Sequence, residues 1–487
     1  MKVLIITEGS SKIGFGHITR CTALYQSFKE KGSNVHFIVN GDSKIELLLK
    51  DTEYKIFNWL EYPDKLFDLL NSYDIVIIDS YLADEDFYNT ISKSVPLAAY
   101  IDDNKRINYP KGIVINGSIH AEKLNYQPSN LVDYLLGSQY IPLRHEFWNV
   151  AEKEVNPIIQ SIMVTFGGDD LRNLTPKVLK LLTKYYPDLN KKIVIGKGFK
   201  NISEIEDLKD SKTETIYYPD AESMLKTMFE SDIAISAGGQ TLYELARVGI
   251  PTIAIGVAYN QTHNVEYWKK VGFIEFAGFW DEDNLYDSLR ENLESLQDKN
   301  VRTEKCKLGR EYVDGNGAIK IAKKCLNKYH AQNMTLRTAE LADIHDVFEL
   351  SNENDVRKNS FNSDQIKLED HEKWFKNKIE DSDNIFLIIK SSKDFLGQVR
   401  FDLEENNASI SVSISKNFRE LGLGSNILEK SIEYLKVNAA HIKIIKAYIK
   451  ESNQKSVSLF EKMGFENKKN FWMENQDALL YVYKLRD

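Results

Sequence analysis

The sequence predicts an α/β protein in which two lobes with parallel sheets precede a smaller α+β domain. Short apolar runs alternate with helical patterns over residues 1–330, and consecutive strand patterns follow after residue 334. The 487 residues suffice for two to four domains, since one domain usually holds about 100–200 residues. Hydrophobic residues make up 42% and charged residues 28%. This composition is ordinary for a globular protein and argues against a disordered chain.

Charge and cysteine content exclude several classes of protein. The 63 basic and 72 acidic residues give a net charge of −9, which provides no overall field for nucleic acid. Three cysteines, an odd number without a CxxC motif, form neither a disulfide framework nor a zinc site. The N-terminal apolar run is too short for a signal peptide, and no stretch approaches the roughly 20 apolar residues of a membrane span. We therefore expect a cytoplasmic protein with no membrane or nucleic-acid partner.

The first predicted lobe, residues 1–150, is doubly wound. Its helix after the first strand carries Ile18, Cys21, Tyr25 and Phe28 on one face. Apolar runs alternate with such helical or polar segments, which is typical of a parallel sheet with helices on both faces. The predicted strands are Val3–Thr7, Val35–Val39, Ile75–Ile78, Leu97–Ile101 and Val114–Ile115.

The second predicted lobe, residues 151–330, begins with a charged, proline-bearing stretch and repeats the same alternation. Its predicted strands are Ile162–Phe166, Ile193–Ile195, Ile233–Ser236 and Pro251–Ile255. Two of them run directly into glycine pairs, Gly167-Gly168 and Gly238-Gly239. Both lobes are therefore expected to place polar loops at the carboxyl ends of their strands.

The third predicted domain covers residues 334–487, after a short linker at 329–333. Several strands follow one another here, which predicts an α+β domain. The predicted elements are strands Phe386–Ile389, Gly397–Asp402, Ala408–Ser415, Ile442–Lys450 and Leu479–Lys484, with helices Ser425–Lys436 and Gln454–Met463.

The loop after the first strand reads Gly14-Phe15-Gly16-His17. Glycines let the backbone approach a ligand closely, and the N-terminus of the following helix favours anions such as a diphosphate. His17 stands at the first helical turn, where the dipole disfavours imidazolium, so a neutral ring could accept a proton. A loop histidine that caps the helix is the alternative interpretation.

A similar strand, glycine turn and helix occurs at Ser236-Ala237-Gly238-Gly239, with Glu244 inside the helix. The turn N–H groups could hold a diphosphate, and Glu244 could accept hydrogen bonds from ribose hydroxyls. An ordinary turn with a solvated glutamate explains the same residues.

Taken in order, these motifs resemble the UDP-sugar hydrolases of pseudaminic acid biosynthesis. The motifs that carry the resemblance are Gly14–His17 with Arg20, Ile77–Tyr81, Ile101–Asp103, Phe166–Asp169, Ser236 with Gly238 and Glu244, Asn260-Gln261, and Lys270–Phe273. That family has a GT-B-like fold of two Rossmann-like lobes and releases UDP from UDP-2,4-diacetamido-2,4,6-trideoxy-β-L-altropyranose. The resemblance covers roughly residues 1–330.

The resemblance implies a role for each matching residue. His17 corresponds to the general base that activates water for inverting attack at the anomeric carbon, and Glu244 to the ribose-binding position. The remaining implied substrate-binding residues are Gly14, Gly16, Asp79, Tyr81, Asn173, Ser236, Gly238, Gly239, Asn260 and Gln261. GT-B enzymes generally need no metal. Asp102-Asp103 could suggest a metal site, but consecutive carboxylates at a strand end are more often structural or solvated.

In the third domain, Arg419-Glu420-Leu421-Gly422-Leu423-Gly424 fits the pattern R-x-x-G-x-G between a strand and a helix, a cradle for a pyrophosphate. With Asn453, Ser456 and Gly464-Phe465 downstream, residues 334–487 resemble the GNAT N-acetyltransferases. The resemblance implies acetyl-CoA as co-substrate. Its implied cofactor-binding residues are Val412, Ile414, Arg419, Leu421, Gly422, Leu423, Gly424 and Asn453.

Residues further upstream resemble the GNAT branch that acetylates 4-amino sugars on UDP. They are His371, Trp374-Phe375 and Gly397–Phe401, and the resemblance implies that His371 and Trp374 bind substrate. A surface histidine and a core tryptophan are the alternative. Many GNAT enzymes have a tyrosine general acid where this chain has Phe460, so Tyr448 or a water is left to protonate the thiolate.

The leading hypothesis is thus a bifunctional enzyme that N-acetylates a UDP-4-amino sugar and then hydrolyses the UDP linkage. Its expected ligands are a UDP-sugar and acetyl-CoA, with other enzymes of the pathway as candidate partners. A GT-B glycosyltransferase using an alcohol acceptor and a non-catalytic scaffold that binds sugar nucleotides are the alternatives.

Overall fold

A computed structural model describes residues 1–10, 14–42, 45–473 and 476–485. The chain divides into two compact units, Met1–Cys325 and Leu326–Asp487. The first unit contains two parallel sheets and the second a mostly antiparallel one, which confirms the predicted fold class. None of the helices in the described ranges is long and apolar enough to cross a membrane.

The first sheet has seven parallel strands. They are β1 (Lys2–Gly9), β2 (Asn34–Gly41), β3 (Tyr54–Ile56), β4 (Ile75–Asp79), β5 (Leu97–Ile101), β6 (Gly112–Asn116) and β7 (Val132–Leu136). The helices are α1 (Gly16–Glu30), α2 (Glu46–Leu49), α3 (Pro63–Leu70) and α4 (Glu85–Ser94). The strand order β3-β2-β1-β4-β5-β6-β7 reverses between β1 and β4. Ligands of such sheets bind in the crevice at this switch point, beyond the carboxyl ends of the strands.

The second sheet has six parallel strands in the order β10-β9-β8-β11-β12-β13. They are β8 (Ser161–Thr165), β9 (Asn190–Ile195), β10 (Thr213–Tyr217), β11 (Ile233–Ala237), β12 (Thr252–Gly256) and β13 (Ile274–Phe279). The helices are α5 (Leu174–Tyr185), α6 (Ile202–Asp207), α7 (Ala221–Phe229), α8 (Thr241–Val248), α9 (Thr262–Lys270), α10 (Leu285–Ser295) and α11 (Lys299–Tyr312). Its switch point lies between β8 and β11.

Both faces of this second sheet are buried. On β8, Ile162 and Val164 join one apolar cluster, whereas Met163 between them joins another. Strands covered on both faces read as continuous apolar runs rather than alternating ones. This explains why the central strands could be predicted from short hydrophobic stretches.

A long helix, α12 (Gly317–Gln332), corrects one prediction. The linker expected at 329–333 lies mostly inside this helix. Its residues Cys325, Leu326 and Tyr329 are buried, and Tyr329 stands four positions after Cys325 and three after Leu326, so the apolar stripe of the helix continues into the segment.

The sheet of the second unit has the order β14-β15-β16-β17-β18-β20-β19. Its strands are β14 (Met334–Thr338), β15 (Asn384–Ser391), β16 (Asp394–Glu404), β17 (Asn407–Ile414), β18 (Ile444–Lys450), β19 (Glu466–Met473) and β20 (Gln476–Lys484). The helices are α13 (Ile344–Ser351), α14 (Asn354–Asn359), α15 (Leu368–Glu380), α16 (Gly424–Asn438) and α17 (Gln454–Lys462). Among the pairs recorded for these strands, β17 and β18 are parallel and the others antiparallel.

Candidate active sites

The first candidate site lies at the carboxyl ends of β1 and β4, where the order of the first sheet reverses. His17, the second residue of α1, is buried, and its Nδ1 lies 2.7 Å from Oδ1 of Asp79, the last residue of β4. Arg20 donates to both Asp79 oxygens at 2.6 Å. Because residues three apart share a helix face, α1 presents the imidazole and the guanidinium together to one buried carboxylate.

Further polar groups surround this pair. Arg20 also donates to both oxygens of Asp103, at 2.7 and 2.9 Å, and the Tyr81 hydroxyl donates to Asp103. The Tyr81 ring packs edge-on against His17 with 4.6 Å between ring centroids. The Tyr81 backbone N–H donates to the buried Glu8 carboxylate at 2.7 Å. The end of β1, the first turn of α1 and the segments after β4 and β5 thus belong to one hydrogen-bonded network.

The contacts of His17 determine its tautomer. Arg20 Nη2 also lies 3.0 Å from Nδ1, but a guanidinium has only donors and cannot bond a protonated ring nitrogen. The shorter contact to an ionised carboxylate assigns the proton to Nδ1, which donates to Asp79. Nε2 then carries the free lone pair, as a general base requires.

Asp79 is ionised by its neighbours. Burial by itself raises the pKa of this carboxyl, but the charge of Arg20 and the hydrogen bonds from Arg20 and His17 outweigh burial and hold the pKa well below its ordinary value. The carboxylate therefore remains charged at neutral pH and keeps the His17 ring oriented.

This lowered pKa predicts a pH-dependent contribution to stability. A carboxyl whose pKa is depressed by folding stabilises the protein above its unfolded pKa of about 3.9, and this stabilisation is lost as the pH falls toward the folded value. We expect the free energy of unfolding of the wild type to exceed that of Asp79→Asn at pH 6, and the excess to shrink by pH 3. Urea unfolding at several pH values measures it, and an excess that grows on acidification would contradict the assignment.

The glycine loop borders His17. The described part of the loop includes Gly14, whose N–H donates to Ser10 at 2.8 Å, and Gly16, which begins α1. A side chain at either position would meet no heavy atom of the described residues within 4 Å.

The second-lobe turn follows β11. Ser236 is buried in the strand, and Gly238 packs so closely against Val265 and Gln261 that a Cβ would lie 2.4 Å from the Val265 side chain. The Gln261 amide oxygen accepts from Val257 N–H at 3.1 Å, and its amide nitrogen lies over Gly239. Gly238, Gly239 and Gln261 thus form one compact turn at the N-terminus of α8.

Glu244, in the first turn of α8, forms an ion pair. Arg144 donates to its two carboxylate oxygens at 2.8 and 2.9 Å, and the Glu244 side chain is largely buried. Each oxygen keeps a second lone pair. Glu244, the predicted ribose-binding residue, is thus oriented by Arg144, which lies in the segment that joins the two sheets of the first unit.

The remaining predicted second-lobe residues are Asn260 and Asn173. Asn260 is exposed on a short 3-10 helix ahead of α9. Asn173 precedes α5 and donates to Glu204 at 3.1 Å, while Asp170 accepts from the first N–H groups of α5. The Asn173 amide is therefore already paired with a carboxylate.

A chain of hydrogen bonds crosses between the lobes of the first unit. Ile119 N–H, after β6, donates to the Tyr243 hydroxyl at 3.0 Å, and this hydroxyl donates to Asn264 at 2.7 Å. Asn264 then donates to the Gly238 carbonyl at 2.8 Å. The position of the glycine turn is thus coupled to a loop of the first lobe.

Sequence reasoning missed Glu8, Tyr243, Asn264 and Arg144. For Glu8 a signal existed, because a charged residue directly ends an apolar strand, as Asp79 does. The others act through partners distant in sequence, such as Arg144 and Glu244, and no local pattern reveals such pairs.

The second candidate site, in the second unit, is a gap between β17 and β18. Their recorded parallel pairing ends at Ile410 and Ala447, although both strands continue. Ser415 N–H donates to β16, and backbone groups alternate sides along a strand. Those of Val412 and Ile414 therefore face the gap, where the Ile414 carbonyl accepts from Arg419 Nε at 2.8 Å. This open edge suits an extended ligand.

The predicted glycine turn adjoins that edge. Leu421 and Leu423 are buried, Gly422 has a φ of +83°, and Gly424 begins α16. The Arg419 side chain pairs with Asp355 at 3.0 Å and with Glu353. The backbone of the turn is therefore suited to bind an anion. The positive charge of Arg419 is neutralised by the carboxylates of Glu353 and Asp355.

Asn453 directly precedes α17, and Phe460 lies on this helix. The Asn453 side chain accepts from Ser456 N–H at 3.2 Å and caps the helix, which leaves its amide N–H groups as donors. Phe460 is buried against Phe465 at 4.9 Å between ring centroids and has no proton to transfer.

His371 and Trp374 belong to an aromatic cluster. His371 is 1% exposed and packs among Phe348, Trp374 and Phe375. Trp374 packs on Phe386 and lies under Arg400. Burial lowers the pKa of His371. His371 is therefore not the surface histidine of the alternative interpretation, whereas Trp374 packs in an aromatic cluster, as that interpretation expected.

The first unit thus has the architecture of a nucleotide-sugar enzyme, and the second that of an N-acetyltransferase that uses acetyl-CoA. Residues 161–311 match the glycosyltransferase family 28 C-terminal domain, and residues 333–466 match the acetyltransferase (GNAT) domain. The Gly238-Gly239 turn lies in the first matched segment and the gap beside β17 in the second, whereas the His17–Asp79 pair precedes both segments.

Three curated relatives extend this result. An uncharacterized protein of Methanocaldococcus jannaschii is 25% identical over 504 residues, 96% of this chain and 97% of the relative. A Helicobacter pylori protein, named pseudaminic acid cytidylyltransferase and UDP-2,4-diacetamido-2,4,6-trideoxy-β-L-altropyranose hydrolase, is 25% identical over 56% of this chain and 48% of its own length. The hydrolase of that name from Campylobacter jejuni is 24% identical over 56% of this chain and 98% of its own length. These findings confirm the predicted resemblance to a hydrolase fused to a GNAT domain.

Proposed function

We propose that the first unit hydrolyses a UDP-linked 2,4-diacetamido-2,4,6-trideoxyhexose and that the second unit makes this substrate by acetylating its 4-amino precursor. The observation that carries the proposal is the buried His17–Asp79 pair at the switch point of the first sheet. The names of the Helicobacter and Campylobacter relatives support a UDP-2,4-diacetamido-2,4,6-trideoxy-β-L-altropyranose as the substrate.

In the hydrolysis, Nε2 of His17 takes a proton from water as the water oxygen attacks the anomeric carbon. The bond from that carbon to the phosphate oxygen breaks, and its electron pair leaves with UDP. Asp79 stabilises the imidazolium through the Nδ1–H hydrogen bond. The imidazolium then returns its proton to solvent, which completes the exchange of water for UDP.

The second-lobe turn supports departure of the charged nucleotide. The Gly238-Gly239 turn opens α8. The Gly238 N–H donates to the Ile255 carbonyl at 3.2 Å, so the N–H groups that follow it, at the positive end of the helix dipole, are the proposed diphosphate donors. Glu244, held by Arg144, is placed to accept hydrogen bonds from ribose hydroxyls. Charge that develops on the diphosphate is thus stabilised without rearrangement.

In the acetyl transfer, the 4-amino nitrogen attacks the thioester carbonyl of acetyl-CoA. The carbon–sulfur bond breaks, the nitrogen loses a proton, and the thiolate takes one from solvent. The pantetheine arm would pair with the Val412 and Ile414 backbone in the gap beside β17, and the pyrophosphate would rest on the turn of residues 419–424.

The experiment is a stepwise incubation followed by NMR. The UDP-4-amino sugar with acetyl-CoA should give free CoA, then UDP and the free diacetamido sugar. The purified diacetamido UDP-sugar should give UDP without acetyl-CoA, and in H₂¹⁸O the label should enter the sugar rather than UDP. Label in the phosphate, or no UDP at all, would contradict the proposed hydrolysis.

The role of Glu244 makes a separate prediction. If it accepts from the ribose, wild-type protein should bind UDP about tenfold more tightly than 2′,3′-dideoxy-UDP, the effect of about one hydrogen bond to a charged group. In Glu244→Ala the two affinities should become equal. Calorimetry measures both, and a preference retained by the variant would exclude this role.

The glycosyltransferase family match of residues 161–311 favours one alternative, a transferase that uses an alcohol in place of water. It predicts that UDP release accelerates when a sugar acceptor is added. A rate that is independent of acceptors supports the hydrolase.

A further inference from the structure

His120 lies in the loop after β6, outside every site residue assigned above. The residue is 6% exposed, and neither ring nitrogen has a hydrogen-bond partner within the described part of the chain. Buried polar groups are normally hydrogen-bonded, since an unpaired one is costly. An imidazole buried with both nitrogens free is therefore suited to a ligand that supplies the missing partner.

The surroundings of this ring indicate the charge of that ligand. His263, in the first turn of α9, faces it at 5.8 Å between ring centroids, and Tyr267 lies one turn further at 6.1 Å. The charged groups nearby are Asp103, already bound by Arg20 and Tyr81, and Glu266, 3.9 Å from His263. Two facing imidazoles at a helix N-terminus favour an anion.

The hydrogen-bond chain between the lobes places His120 near the second-lobe turn. Its neighbour Ile119 donates to Tyr243, which connects through Asn264 to the Gly238 carbonyl. The loop that carries His120 is thus held against the element proposed to cradle the diphosphate. Asp103 contacts Arg20 beside His17 and also acts electrostatically on His120, so both histidines border one region.

We propose that His120 binds the distal phosphate of the nucleotide, the phosphate that separates from the sugar, by donating a ring N–H to its oxygens. This inference rests on the proposed hydrolase function. It assigns to the first lobe a direct contact with the leaving group, opposite the glycine turn of the second lobe. His263 faces the same anion from α9.

The electrostatics of the free protein agree with this role. Burial lowers the pKa of His120, and the neighbouring His263 lowers it further, against the opposing effect of Asp103. An adjacent phosphate would favour the imidazolium and raise that pKa. Binding of the nucleotide should therefore be accompanied by proton uptake at pH values between the pKa of the free protein and the raised pKa of the complex.

The first experiment is NMR of the histidine rings in ¹⁵N-labelled protein. His120 is assigned from the signal missing in His120→Gln, and its titration is followed with UDP, UMP or the free sugar. We expect UDP to shift the His120 titration to higher pH, UMP to shift it less, and the sugar to leave it unchanged. An unchanged titration with saturating UDP overturns the inference.

The second experiment compares His120→Phe with His345→Phe, which changes an exposed histidine on α13. A lost hydrogen bond to a charged phosphate should weaken UDP binding about 10- to 100-fold. UMP binding should change less than about threefold, and His345→Phe should behave as wild type. Equal losses for UDP and UMP would overturn the contact to the distal phosphate.

These outcomes separate the two proposals. A wild-type protein that neither binds UDP nor releases it from the sugar would contradict the hydrolase itself. A wild type that hydrolyses its substrate while UDP leaves the His120 titration unmoved would contradict only the inference. If His120→Phe fails to fold, the shift of the His120 titration by UDP in the wild-type protein still tests the inference.

Discussion

Replacing His17 by alanine is expected to lower the rate of UDP release from the diacetamido UDP-sugar by about 10²–10⁴-fold, the usual contribution of a general base. The variant loses the Nε2 lone pair, while Asp79 keeps its two bonds from Arg20 and the fold is retained. The value of kcat should fall while KM changes little, because the His17 ring is proposed to act on water and not to bind the sugar nucleotide. A coupled assay for UDP measures both constants.

Two controls make this result specific. Acetylation of the 4-amino precursor by the His17→Ala protein should proceed at the wild-type rate, and His441→Ala, an exposed histidine of the second unit, should leave UDP release unchanged. Added imidazole should restore part of the lost rate. A His17→Ala protein within about threefold of wild type would show that another group is the base.

Replacing Gly422 by valine is expected to reduce acetyl transfer at least tenfold at low acetyl-CoA. Gly422 has a φ of +83°, where an L-residue is strained by about 1–2 kcal/mol, so the turn must shift and its N–H groups lose their alignment. The loss should appear mainly in the KM for acetyl-CoA. Release of UDP from the preacetylated substrate should not change.

The chain offers a matched control for this substitution. Gly464 in the same unit also has a φ of +83° with space around it, but it follows α17 instead of joining β17 to α16. Gly464→Val should incur similar strain and thus a similar loss of thermal stability, with acetyl-CoA binding preserved. If both variants lose acetyl transfer equally, strain rather than the cradle explains the effect.

The central strands of all three sheets could be predicted, and the edges could not. The missed strands are β3, β7, β10, β13, β14 and β19, and each lies at the edge of its sheet. Edge strands are covered on fewer sides, so they tolerate polar residues, as in the Thr213–Tyr217 sequence TETIY. The apolar runs that mark a buried strand are therefore weak or absent there.

The candidate site residues also divide into those that local sequence patterns predict and those that they do not. His17, Asp79 and Tyr81 stand at strand ends and helix starts, and local patterns select such positions. The ion pair of Arg144 with Glu244 joins residues one hundred positions apart, and the packing of His371 depends on helices α13 and α15 meeting. Contacts of this kind arise from tertiary structure and leave no periodic trace in the sequence.

The route from Ile119 through Tyr243 and Asn264 to Gly238 bears on the building of chimeras. A chimera whose second lobe comes from a relative would carry that relative's residues at positions 243 and 264. Without a hydroxyl and an amide there, the first-lobe loop would lose its anchor across the crevice. Grafting those two side chains along with the donor half is thus the minimum needed to keep both halves in register.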